Sequence, residues 1–285
     1  MKRVRHPVVA GYFYPGKRDE LVKIIEWSFK HRHGPGSLPQ LVERGARAVI
    51  GYVVPHAGYV FSGPVAAHAY YDMAQDGIPQ TAVILGTNHT GLGKPVSVYP
   101  EGKWQTPLGY LEVDSELSES IVKHSNIADL DEQAHLEEHS VEVQLPFIQY
   151  IYGDRVKIVP VVIGIHTLSV ARDVAESIIT AARELNRDIV VLASSDFNHY
   201  EPHSTTVEKD KAAIDRILEL DTEGFYNVIS ERNISVCGPG GVMTLVEIAR
   251  RLGARATLLK YMTSGDISGD KSAVVGYAAV KFTRS

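Results

Sequence analysis

Apolar positions along the chain fall into two periodicities that alternate. Six runs read as strands: 46–54, 81–86, 156–164, 188–195, 256–262 and 273–282. The middle four are nearly continuous in apolar residues, the pattern of strands buried on both faces of a mostly parallel sheet. The last run alternates somewhat and fits an antiparallel or edge strand. Helical spacing fills the intervals. Leu21, Ile24, Ile25 and Phe29 recur at that spacing after Asp19, a candidate N-cap. Further helices are expected near 62–74, 115–124, 136–151, 168–186, 204–219, 221–230 and 240–252. Strand and helix in short-linked alternation predict a three-layer α/β/α fold with a mostly parallel central sheet. The stretch 94–114 breaks the rhythm with Pro and Gly turns and predicts a small β-hairpin insertion, and 33–40 is a loop. With no repeat and no linker, 1–285 is read as one domain.

Composition narrows the function classes. The chain is 44% apolar and 22% charged with a net charge of -5, ordinary for a globular protein. Its basic clusters are short, Lys2, Arg3 and Arg5 and then Lys30 to His33, so no broad face suits nucleic acid. One cysteine excludes an intrachain disulfide. No apolar run approaches the ~20 residues that span a bilayer, and the N-terminus makes a poor signal peptide. A cytoplasmic location is the expectation.

The chemistry collects at strand ends. His56 closes AVIGYVVPH, His89 closes AVILGTNH, and Asp196 and His199 follow IVVLASS. Ligands of open α/β sheets bind beyond the carboxyl ends of parallel strands, so these residues are expected on one rim. His166 is placed the same way and is a weaker fourth histidine. Asp196 could orient an imidazole or bind a metal, and His199 could act as a base. Cys237 precedes a Gly-Pro-Gly-Gly turn and a helical pattern, where a helix N-terminus favours the thiolate. In AHLEEHSVEVQLPF, Glu138 or Glu142 could pair with His139, and His135 and His139 would share a helix face. Leu136 stands where a zinc peptidase motif needs glutamate, so that chemistry is rejected. Val141, Leu145 and Ile148 make a core-facing stripe there.

Taken in order, PHAGYVFSG, GTNH, EEHSVEVQLPF, SSDFNHY and CGPGG resemble the Memo family across nearly the whole chain. The resemblance implies a fold similar to LigB-type class III extradiol dioxygenases, which hold non-haem iron with two histidines and a glutamate. It implies His56, His89 and Cys237 as metal ligands, with Cys237 in the carboxylate position. His199 then stands in the place of the acid/base histidine, with Asp196 and His139 as further pocket residues. A thiolate for a carboxylate softens the site, which favours copper or zinc beside iron and departs from ring-cleaving enzymes. The phosphotyrosine-peptide role associated with the human member is not carried over. Prokaryotic relatives imply partners among radical-SAM and AMMECR-type proteins.

Three functions stay open on the sequence. The first is a metal-dependent oxidoreductase using iron, copper or zinc. The second is a metal-free Cys–His nucleophilic enzyme in which Cys237 attacks and His56 or His199 is the base. The third is a non-catalytic cleft that captures a peptide or small molecule. An oligomer is compatible with any of them.

Overall fold

The computed structural model describes residues 3–285, so Lys2 of the N-terminal basic cluster lies outside the described residues. The elements run β1 (Val4–Arg5), α1 (Arg18–Lys30), β2 (Val49–Val54), α2 (Tyr59–Gln75) and β3 (Thr81–Thr87). Next come β4 (Val96–Val98), β5 (Lys103–Thr106), β6 (Gly109–Glu112), α3 (Ser115–His124), β7 (Ala128–Leu130) and α4 (Leu145–Tyr152). The chain continues through β8 (Lys157–Ile163), α5 (Leu168–Glu184), β9 (Ile189–Ser194), β10 (His199–Glu201), α6 (His203–Leu218) and α7 (Thr222–Glu231). It ends with α8 (Pro239–Arg251), β11 (Ala254–Thr263), α9 (Gly265–Ser268) and β12 (Val274–Arg284).

The main sheet has the order β10-β12-β2-β9-β3-β8-β4-β7, with β11 also on β12. Its centre, β2-β9-β3-β8, is parallel. Its flanks are mixed: β12 runs antiparallel to β2, and β4 antiparallel to β8. The sheet is therefore mixed rather than mostly parallel throughout, with a parallel centre and a further parallel pair, β4–β7, at one edge. Alternate side chains of each central strand feed two separate cores. Val53, Val83, Val161 and Val191 pack under α3, α5 and α8, while Tyr52, Ile84, Val162 and Leu192 pack under α1, α2 and α4. Burying each such aliphatic side chain contributes about 1.5–3 kcal/mol, which is why continuous apolar runs specify these strands.

Several expectations are corrected. All six residues of β2 are buried, so the run 46–54 belongs with the doubly covered strands. The run 256–262 does not: β11 is antiparallel and half exposed, with Leu258 38% exposed. The last run is antiparallel as expected, but β12 is paired by β2 and β11 rather than left at an edge. The insertion yields the β5–β6 hairpin, joined by β1 in a three-stranded sheet, while β4 enters the main sheet. Helix α1 starts at Arg18 with Lys17 as its N-cap, so Asp19 lies in its first turn and is not the cap.

The expected helix 136–151 is the largest miss. Short 3-10 turns occupy Gln133–His135 and Glu142–Gln144, and α4 begins only at Leu145. The Glu138 carboxylate takes the N–H groups of His139 and Ser140, which a helix would have paired internally. The apolar stripe is nonetheless real, since Val141, Leu145 and Ile148 are fully buried. His135 and His139 do not share a helix face. His135 is buried between Tyr99 and Trp104, with its Nε2 on the Ser97 carbonyl. Among the described residues no helix is long and apolar enough to cross a membrane.

Candidate metal centre

The carboxyl edge of the parallel centre delivers the chemistry as its topology requires. His56 follows β2, His89 follows β3 and Asp196 follows β9. His199 opens β10, and Cys237 precedes Gly238, the N-cap of α8. His139 enters from the irregular segment before α4. These six residues line one cavity of about 620 Å³, with Phe13 at its side.

Donor atoms of His56, His89 and Cys237 lie within 4.8 Å of one another. His56 Nε2 is 3.2 Å from Cys237 Sγ. The ring of His56 stands edge-on to those of His89 and His139, with centroids 5.4 and 5.3 Å away. Hydrogen bonds behind the rings fix their tautomers. Ser194 Oγ spends its one proton on the Ser140 carbonyl and accepts from Gln144 Nε2, so it must also accept from His56 Nδ1 at 3.0 Å. His56 Nε2 therefore keeps its lone pair on the cleft side. His89 Nδ1 donates to Glu138 Oε1 at 2.8 Å, which frees its Nε2 in the same way.

Glu138 is the hub of this wall. It also accepts the His89, His139 and Ser140 N–H groups. Burial raises its carboxyl, but the His89 ring and these N–H groups outweigh burial and bring it to about 2. It is 3.5 Å from His139 Nδ1, so the expected Glu138–His139 pair exists, but His89 is the closer partner. Glu142 does not pair with His139. It is bound to Arg5 and Tyr14 elsewhere. Glu138, His89 and His139 also form a compact group, yet the Glu138 oxygens are occupied by N–H donors, which suits orientation rather than ligation.

Burial, and then the neighbouring His89, lowers His56 to about 3; burial and His56 lower His139 to about 4. Both imidazoles are neutral at pH 7, the state in which they bind metals. Asp196 is buried and accepts the His56 N–H at 2.9 Å, while its own N–H points at Cys237 Sγ at 3.2 Å. Burial raises its carboxyl. Burial and Asp196 push the Cys237 thiol well above the usual range, against the thiolate activation expected from the helix terminus. His166 lies outside this cavity. Its Nδ1 accepts the Gly240 N–H at the start of α8 and its Nε2 meets Thr87 Oγ1, a bracing role. Ser194, Gln144, Ser235 and Asn198 were not found from sequence. Gln144 alone left a signal, a polar residue inside the apolar run VEVQLPF.

A family model described as Memo-like protein matches residues 5–281. The chain belongs to the Memo-like family. A "MEMO1 family protein" of Desulfurococcus amylolyticus is 65% identical over 278 residues, covering 98% of both chains. Memo-like relatives of Ignicoccus hospitalis and Methanopyrus kandleri are 55% and 50% identical, each over 98% of this chain and 98% and 99% of theirs. An uncharacterized protein from Escherichia coli K12 is similar at a TM-score of 0.46 and 14% identity, over 71% of this chain and 86% of that one. That likeness bears on neither site nor function.

The metal implied by the Memo resemblance can be tested against the donor set. Two imidazoles and one thiol converge, with the Ser194 hydroxyl and the Glu138 carboxylate holding the two Nδ1 atoms from behind. That is a chemically reasonable set for zinc, copper or iron, with room for a further ligand from the cavity.

Proposed function

We propose that this Memo-like protein is a metal-dependent oxidoreductase acting on a small molecule or peptide that enters the cleft. The observation that carries the proposal is the convergence of His56, His89 and Cys237 within 4.8 Å, with both histidine tautomers fixed from outside. A bound ion would supply Lewis acidity and, as iron or copper, electron transfer. The remaining work falls to the chain. Asp196 holds the His56 backbone and the sulfur environment, and His199 moves a proton at the cleft face. His139 and Phe13, with ring centroids 4.6 Å apart, form one wall against which a ligand packs. The test is metal content after anaerobic purification, for the native chain, Cys237→Ser and His89→Ala.

The metal-free nucleophile is the second reading. Its support is the 3.2 Å contact of Cys237 Sγ with His56 Nε2. Burial of the thiol beside Asp196 opposes it, because a nucleophilic cysteine needs its thiolate. Rapid alkylation of metal-free protein near pH 7 would favour this second reading.

A further inference from the structure

His199 is only partly buried, yet its backbone and its ring Nδ1 are both held. Its backbone N–H donates to Ser235 Oγ at 2.8 Å, and its Nδ1 meets the Ser235 carbonyl at 2.7 Å. A carbonyl oxygen only accepts, so Nδ1 carries the proton, and in the neutral ring Nε2 is the nitrogen that keeps its lone pair. Ser235 sits on a surface loop and would not hold this geometry alone.

What holds Ser235 is Asn198, which is fully buried. Its Oδ1 accepts both the Ser235 N–H and the Ser235 hydroxyl, each at 3.1 Å. Its Nδ2 donates to Glu201 at 2.6 Å and lies 3.3 Å from Thr206 Oγ1. Its main chain donates to Asp210 at 2.9 Å and accepts from Gly276 at 2.9 Å. The amide orientation follows from its partners, since the Ser235 N–H only donates and the Glu201 carboxylate only accepts. One side chain thus joins the loop after β9, the loop before Cys237 and the start of α6.

The same clamp flanks a strained residue. Tyr200, between His199 and Glu201, has φ of +62° and is 78% exposed at the cleft rim. A tyrosine stays in the left-handed region only where the surroundings over-determine it. Here they do, because His199 is tied to Ser235 on one side and Glu201 to Asn198 and Lys209 on the other.

We infer that Asn198 is a positioning residue: through Ser235 it selects the Nδ1–H tautomer of His199 and so decides that Nε2 faces the cleft. The inference rests on the reading of His199 as the proton carrier, and it concerns the metal-free chain. Failure of metal binding therefore leaves it testable, and metal content is measured separately.

The experiment records nitrogen-15 shifts of the His199 ring in the full-length, chelator-treated protein, with His199→Gln supplying the assignment. The native chain is expected in the Nδ1–H form. Asn198→Ala is expected to give a mixed tautomer population. Should Asn198→Ala not fold, Ser235→Ala decides, because it removes the hydroxyl link and keeps the carbonyl; a mixed population is again the expected result. A native Nε2–H ring, or an unchanged tautomer in the folded variants despite lowered thermal stability, would overturn the inference and leave Asn198 purely structural.

Discussion

Glu138 and Glu142 lie four residues apart in one short segment, are both buried, and have opposite employment. Glu142 accepts the N–H groups of Val8 and Val9 and the Tyr14 hydroxyl, and pairs with buried Arg5. It anchors the N-terminal strap to the body of the protein. Glu138 instead serves two imidazoles of the cleft. The local motif is nearly the same in both cases, with a carboxylate beside short turns. What separates structure from candidate chemistry is the partner that distant chain segments bring: Arg5 to one, His89 to the other.

That contrast can be broken or sharpened by mutation. The largest effect is expected from Glu142→Ala, which leaves the Arg5 guanidinium buried without its partner. Breaking such a pair costs about 3–5 kcal/mol, seen as a lower chemical-denaturation midpoint. Any folded fraction should retain its metal. Glu138→Gln should do the reverse. Loss of an outer partner to a ligating histidine weakens metal affinity roughly 10- to 100-fold, read by competition with a chelator, at a smaller cost in stability.

Acid titration probes the Glu138 side of the comparison. His56 and His139 are depressed from 6.5 to about 3 and about 4, and Glu138 from 4.5 to about 2. A group depressed in the folded state adds stability above its unfolded pKa and loses it as pH falls toward its folded value. The metal-free protein should therefore lose thermal stability as pH falls below 6.5, continuing toward pH 3. His139→Gln should flatten the upper part of that fall, between pH 6.5 and 4. The smallest effect is that of His166→Gln. It should leave metal content unaltered and shift stability by about 1 kcal/mol, the scale of one hydrogen bond, because its ring braces α8 outside the cavity.

The strand-end residues were legible because each follows a saturated apolar run directly: His56, His89 and Asp196 need only the strand ends to be located. The α/β/α layering was legible for the same reason. Cys237 was not placed by spacing, since nothing local says that the loop before α8 reaches β2; the family resemblance supplied it. The braces were illegible because their partners are far apart in sequence. Ser194 and Gln144 are 50 residues apart, and Asn198 and Ser235 are 37 apart. The first half of the helix expected over 136–151 failed, while 145–151 is helical, because the Glu138 carboxylate took N–H groups that apolar periodicity assigns to a helix ladder. Propensity counts the stripe and is blind to that competition.

The central claim is that two strand-end histidines and Cys237 hold a metal ion. The most direct measurement is elemental analysis of anaerobically purified protein beside Cys237→Ser and His89→Ala, each checked for folding. The account predicts about one transition-metal ion per native chain and a large loss in both folded variants, as removal of a first ligand requires. A native chain that binds neither iron, copper nor zinc, or variants that keep full occupancy, would contradict it.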